Sequence, residues 1–292
     1  MPPDRIAPDI LRLTAPNPGP MTATGTQTYL IGDAGVAVVD PGPDDPAHVA
    51  AIQAAAPGPI EAILVTHAHL DHSGAVPALQ AATGAPVLAF GAAHDGRSPA
   101  MAALADRPGL AGGEGIDAGF RPDRRLVDGE TLRGADWQIT ALHTPGHLSN
   151  HMCFALGNSP WLLTGDTVMG WSSTLISPPD GSVSAFLASL EALLQRPQTH
   201  YLPGHGPPVP NGPAQCRAQA AHRHMRARQI ESELARGAAS VTDLTARIYH
   251  DVPAQLHKAA ARNVLAHLLD GVERGRVTLP AGDLSTGLFA PA

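Results

Sequence analysis

Cysteine is nearly absent. Cys153 and Cys216 are the only two in 292 residues, which excludes a disulfide framework and a thiolate metal cluster. Cys153 lies in the strand-like run Met152-Cys153-Phe154-Ala155-Leu156 and reads as a buried apolar residue. No apolar run approaches the roughly 18 residues of a membrane span. The opening Met1-Pro2-Pro3-Asp4-Arg5 lacks the apolar core of a signal sequence, so the expectation is a cytoplasmic protein without a membrane partner. No Gly-x-Ser-x-Gly elbow is evident for a serine nucleophile. Basic charge is also scarce where it would matter for polyanions. Residues 1–212 carry 9 Lys and Arg against 19 Asp and Glu, whereas residues 213–292 carry 10 against 7. The acidic part argues against broad polyanion binding, and the mildly basic tail leaves room for it. Apolar residues make up 43%, enough for a substantial core and far from a disordered composition.

Histidine is what the chain has in density. Thr66-His67-Ala68-His69-Leu70-Asp71-His72 follows the apolar run Ile60-Glu61-Ala62-Ile63-Leu64-Val65, which is short enough and β-branched enough to be a buried strand. Asp71 opens a helix-like segment and is expected near the free N–H groups of its first turn. Imidazole and carboxylate groups thus converge at the carboxyl end of a strand, where open α/β sheets place their sites. Neutral imidazole with carboxylate suits zinc, manganese or iron. Three later segments repeat the grammar of apolar run, tight glycine turn and ligand-type residue. They end in His147 (Thr144-Pro145-Gly146-His147), Asp166 (Thr164-Gly165-Asp166) and His205 (Pro203-Gly204-His205).

With these residues the chain resembles the metallo-β-lactamase superfamily, and more narrowly glyoxalase II-like hydrolases and the β-lactamase-like protein 2 branch. The resemblance implies an α/β fold, an αβ/βα sandwich, followed in that branch by a small winged-helix domain. It implies that His67, His69 and His147 hold one divalent metal, that Asp71, His72 and His205 hold a second, and that Asp166 bridges both. Asp at position 166 argues against a β-lactamase, and His69 against a flavo-diiron protein. Zinc is the default for the two ions, with iron or manganese open. Two such ions against the carboxylates leave the site net positive, which favours an anionic substrate or transition state.

The implied chemistry is hydrolysis by a hydroxide shared between two metals, with water's pKa lowered from about 15.7 to about 7. Asp71 would orient that hydroxide and relay its proton. The substrate class stays open among an ester, a thioester and a phosphodiester, because fold and ligands do not choose. Single-stranded RNA, a small molecule and, in a different class, a winged-helix regulator that senses a ligand are the readings to separate. A homo-oligomer is compatible with all of them.

Along the chain, residues 1–20 hold six prolines and are expected to be an extended, poorly ordered lead-in. A catalytic domain over 21–212 and a winged-helix-like unit over 213–292 follow. Strands are expected at 28–31, 36–39, 60–65, 86–90, 136–142, 151–156 and 161–164, and helices at 46–56 and 182–194. Residues 91–125 show little pattern beyond a short helix near 99–106, and suit equally a lid at the site mouth, where the resemblance places this region, and a mobile surface insertion. In the tail, helices are expected at 214–236 and 241–249, the latter capped by Ser240 or Thr242. A third would start at Pro253, and a short strand would close the unit at 275–279. Asp40 ends a strand and is a candidate to hydrogen-bond a ligand histidine from behind. Trp171, Ser172, Ser173 and Thr174 are candidates to line the pocket. His48, His94, His143, His151 and His200 show no ligand pattern. Lys258 and Arg262 share a helix face but make a weak nucleic-acid footprint, so packing against the catalytic domain is the favoured role for the tail.

Overall fold

Alternation along the strands sets the architecture. A computed structural model describes residues 3–110, 112–113 and 115–292. In strand β4 (Val36–Val39), Ala37 and Val39 enter one apolar cluster while Val36 and Val38 enter another. A strand buried on both faces needs a layer on each side. β4 belongs to a seven-stranded sheet with β1 (Asp4–Ala7), β2 (Ile10–Thr14), β3 (Gln27–Ile31), β5 (Ile60–Leu64), β6 (Val87–Ala89) and β7 (Arg124–Arg125), in chain order. A five-stranded sheet holds β8 (Thr131–Arg133), β9 (Gln138–His143), β10 (Met152–Leu156), β11 (Trp161–Gly165) and β12 (His200–Pro203).

The two sheets face each other across Tyr29, Val39, Leu64, Ile139, Phe154 and Leu202. The outer face of the first is covered by α1 (Pro46–Ala55) through Val49 and Ile52, and by α3 (Val76–Thr83) through Leu79. The outer face of the second is covered by α5 (Val183–Leu194) through Phe186, Leu190 and Leu193. This is the αβ/βα sandwich. β4 and β5 run parallel, as do β11 and β12, so the segments after them leave the two sheets at one edge.

The extended lead-in expected over residues 1–20 is corrected. β1 and β2 form a hairpin, and β2 pairs with β3 from Ile10↔Ile31 to Thr14↔Gln27. Ile10, Leu11 and Leu13 are buried, and that burial outweighs the flanking prolines, which sit in the turn and after the strand. The segment expected as a lid is held at several points. Helix α4 (Pro99–Leu104) contributes Met101, and Leu110 joins it in the core of the tail. Residue 116 bridges to His69. Positions 111 and 114 of that segment lie outside the described residues.

The tail consists of α6 (Gly212–Leu234), α7 (Val241–Ile248), α8 (His257–Glu273) and the short pair β13 (Val277–Thr278) and β14 (Ala290–Pro291). Ser240 caps α7 in a reciprocal box with Asp243, which satisfies two otherwise free N–H groups. Pro253 precedes a 3-10 turn, Ala254–Leu256, so the third α-helix begins at His257, later than its proline suggests. Ala260, Val264 and Leu268 bury together with Leu244, Ile230 and Phe289, the helical stripe legible in the sequence.

Candidate metal centre

The ligand-type residues arrive on loops at the carboxyl ends of β5, β9, β11 and β12. After β5 the chain bends at Thr66 and His67, is extended at His69, and then enters the single turn α2 (Leu70–Ser73). Asp71 lies in that first turn, but no side-chain cap bond forms there; its carboxylate turns to the site and accepts from Thr26 Oγ1 at 3.1 Å. Two glycines are demanded by space. At Gly165 (φ +45°) an added Cβ would lie 2.6 Å from His151 Nε2, and at Gly204 it would lie 2.6 Å from His72 Cε1 and 2.7 Å from Asp166 Oδ1.

His67, His69, His147 and Asp166 converge as one group able to hold an ion, and Asp71, His72 and His205 as another. In the first, His69 Nδ1 lies 2.9 Å from His67 Nε2 and 3.0 Å from His147 Nε2. In the second, His72 Nε2 lies 3.2 Å from His205 Nε2, and Asp71 Oδ2 lies 3.2 Å from His205 Nε2. The Asp166 carboxylate reaches both: Oδ1 is 3.6 Å from His72 Nε2, while Oδ2 is 3.6 Å from His147 Nε2 and 3.4 Å from His205 Nε2. A tetrahedron with bonds of 2.0–2.1 Å has edges of about 3.3 Å, so these separations fit ligands around a cation. Asp166 Oδ1 is buried without a hydrogen-bond partner among the described residues, an acceptor that a metal would satisfy.

The far side of each ring explains its orientation. His67 Nδ1 meets Thr66 Oγ1 at 2.9 Å, His72 Nδ1 meets Asp40 Oδ2 at 2.9 Å, and His147 Nδ1 meets the Leu175 carbonyl at 2.7 Å. Each bond places a proton on Nδ1 and leaves the Nε2 lone pair facing the centre. Asp40 also accepts from Thr66 N at 2.7 Å and Thr66 Oγ1 at 2.8 Å. It adopts φ +52°, a strained conformation for a residue other than glycine.

Protonation follows burial and neighbours. Burial, with the mutual repulsion of the rings, holds His67 well below its ordinary value and His69 down to about 3. Burial also lowers His147. Neutral rings with nitrogens about 3 Å apart are held either by a shared N–H proton or by a cation between them. Burial would lower His72 and His205 too, but with no cation bound the adjacent carboxylates overcome it: chiefly Asp71 and Asp40 raise His72 to about 9, and chiefly Asp166 and Asp71 raise His205 to about 10. A bound metal would displace the Nε2 protons and take the lone pairs.

Sequence comparison agrees with the geometry. The family model for the metallo-beta-lactamase superfamily matches residues 21–205. The chain belongs to the metallo-beta-lactamase superfamily. A second model, the beta-lactamase associated winged helix domain, matches residues 240–280. Among curated relatives of this superfamily member, an atrochrysone carboxyl ACP thioesterase of Aspergillus chevalieri is 28% identical over 277 residues, covering 91% of this chain and 81% of the relative. The lactamase-like protein vrtG of Penicillium aethiopicum has the same identity and coverage. Among solved structures, a beta-lactamase domain protein from Burkholderia ambifaria shares the fold over 100% of this chain and 95% of its own, with TM-score 0.79 and 20% identity. The protein TTHA1623, solved in a di-iron-bound form, is 30% identical, with TM-score 0.51 over 68% of this chain and 93% of its own.

The remaining candidates of this metallo-beta-lactamase superfamily member separate clearly. Trp171 is 38% exposed and lies over Gly206, beside His205. Ser173 is exposed and Ser172 half-buried, with Ser172 Oγ donating to the Ser173 carbonyl at 3.3 Å. Thr174 is corrected: it is fully buried, and its hydroxyl donates to the Asp166 carbonyl at 2.9 Å, beneath the loop and away from any pocket. Arg262 does not form an open basic face with Lys258. Its guanidinium donates to Ser177 Oγ at 2.9 Å and to the carbonyls of Leu110 and Pro178. His151, which shows no ligand pattern in the sequence, is buried directly under the site. Its Nε2 accepts from Asp166 N at 3.1 Å, and its Nδ1 lies 3.0 Å from Thr144 Oγ1. The His67 ring stacks on it at 5.0 Å.

Proposed function

We propose that this protein is a two-metal hydrolase of acyl thioesters, with His67, His69 and His147 around one zinc, Asp71, His72 and His205 around the other, and Asp166 shared. The observation that carries the substrate class is the character of the rim. Leu70, between His69 and Asp71, is 51% exposed, Trp171 beside His205 is 38% exposed, and Met21 is 45% exposed. Met21 stands on the loop whose Gly25 carbonyl faces His205 Nδ1 at 3.5 Å. Large apolar side chains left exposed beside ligand residues in the chain suit an apolar acyl group. They make a poor bed for a polyanionic strand, which relies on guanidinium and ammonium groups along its path. The thioesterase named among the relatives supports the same reading.

Bound divalent ions would supply a water-derived nucleophile at neutral pH and polarise the scissile carbonyl. The chain's own groups do the rest. Asp71 is the most open carboxylate of the set, its side chain 28% exposed, and Thr26 fixes its Oδ2. It stays ionised because His72 and His205 offset the effect of burial and hold it below the usual carboxylate range. Ionised, it can accept a hydrogen bond from the attacking water, orient it and relay its proton. The carbon–sulfur bond breaks to give a carboxylate and a thiol. A leaving thiol with pKa near 8.5 departs without a strong general acid.

The test is thiol release from a medium-chain acyl thioester of N-acetylcysteamine by zinc-loaded protein, with Asp71→Asn purified alongside. Labelled single-stranded RNA is incubated in parallel. Thiol release by wild type alone supports the reading; RNA fragments with intact thioester would replace it with phosphodiester cleavage.

A further inference from the structure

The tail helices reach into the metal site through one short loop. On its inner side, Thr174 Oγ1 donates to the Asp166 carbonyl at 2.9 Å, and the Leu175 carbonyl accepts from His147 Nδ1 at 2.7 Å. On its outer side, the Thr174 carbonyl accepts from Arg223 of α6, and Ile176 N donates to Asn263 Oδ1 of α8 at 3.1 Å. Arg223 Nη1 donates to the same Asn263 oxygen at 3.0 Å, so the two helices grip the loop as a unit. One and two turns earlier on α6, Gln219 and Gln215 both donate to the Met169 carbonyl, at 3.0 and 2.7 Å. Residues 215, 219 and 223 recur every fourth position, on one face of the helix.

That face is costly to build. Arg223 is 1% exposed and has no carboxylate partner among the described residues. Among the described residues its guanidinium is met by the Thr174 carbonyl, Asn263 and the ring of Phe186 at 5.5 Å. A buried, unpaired guanidinium destabilises a fold that an apolar side chain would serve better. Its bonds end on the residue next to the one that orients His147.

We propose that Arg223 and Asn263 are positioning residues of the metal centre: the tail is a structural part of the site, fixing the 174–176 loop so that Leu175 holds His147 for its metal. This rests on the two-metal reading above. Groups behind a ligand typically contribute 10–100-fold in metal affinity; the loop holds the ligand ring of His147 directly, but meets the shared Asp166 only at its backbone carbonyl.

The experiment is competitive zinc titration of chelator-stripped full-length protein against a chromophoric chelator, for wild type, Arg223→Met, Asn263→Leu and Asn263→Asp, with metal-free melting temperatures. The expected result is a 10–100-fold loss of affinity for one equivalent in Arg223→Met and Asn263→Leu. The other equivalent is unchanged, metal-free melting does not fall in Arg223→Met, and affinity recovers in Asn263→Asp, which keeps the Oδ1 acceptor. Unchanged affinities overturn the proposal. So does an equal loss on both equivalents with a fall in metal-free melting temperature, which would be a folding defect. Binding of one zinc by wild type would remove the two-metal reading. The proposal would then be decided by whether that single affinity falls in Arg223→Met.

Discussion

Asp40 holds His72: its Oδ2 lies 2.9 Å from Nδ1 of a ring with no solvent exposure. The same carboxylate gathers the backbone N–H and hydroxyl of Thr66, so one residue ties the end of β4 to the start of the histidine motif. Asp40→Asn keeps the shape and tolerates the positive φ, but it turns an amide donor toward groups that donate. The expected outcome is a folded protein with 10–100-fold weaker zinc binding at the Asp71, His72 and His205 group, read by competitive titration. Wild-type affinity would contradict the role.

Asp71→Asn is expected to fold with an unchanged metal-free melting temperature and to lose about 10²–10⁴-fold in turnover, the range for removing a positioned proton acceptor. Steady-state thiol release on matched preparations measures it. Undiminished turnover rejects the assignment of the proton to Asp71.

His151→Leu removes the acceptor for Asp166 N and leaves the Thr144 and Thr167 hydroxyls without their ring partner. A buried donor left unpaired costs about 1–3 kcal/mol, so chemical denaturation should show a loss of that size in metal-free protein. A stability equal to wild type would mean that water replaces the ring.

Much of this site is legible in the sequence itself. The His67-x-His69-x-Asp71-His72 spacing and the three glycine turns announce ligands because strand ends and tight turns are local, and local patterns survive in one dimension. His151 is not legible, since its function is a bond to the backbone of a residue on another strand. Thr174 reads as polar pocket lining, yet tertiary folding turns its hydroxyl inward to a carbonyl. The β1–β2 hairpin is hidden by prolines flanking short strands whose partner is β3, and β13 finds its partner β14 only near the last residue. Arg223 and Arg262 look like surface cations on a helix, and only packing shows one buried and the other spent on carbonyls.

His267 provides a pH prediction away from the metals. It is buried on α8, and neither ring nitrogen has a hydrogen-bond partner among the described residues. Burial first, then Arg223 and His222, push it down to about 3. The unfolded ring binds its proton near 6.5 while the folded one stays neutral, so the unfolded state holds more protons between those values. Stability is therefore complete above about pH 6.5 and falls as pH drops toward 3, by about 3 kcal/mol near pH 4.5. Denaturation midpoints across pH 4.5–7.5 should fall for wild type and be flatter for His267→Leu. Parallel slopes would contradict the assignment.

The central claim is that two metals in this one site hydrolyse a thioester. Its most direct test is to strip the protein with chelator, restore zinc in measured fractions of an equivalent, and follow thiol release at each point. The account predicts no turnover without metal and full activity only as the second equivalent binds. Turnover that survives stripping, or that is complete at one equivalent, would contradict it.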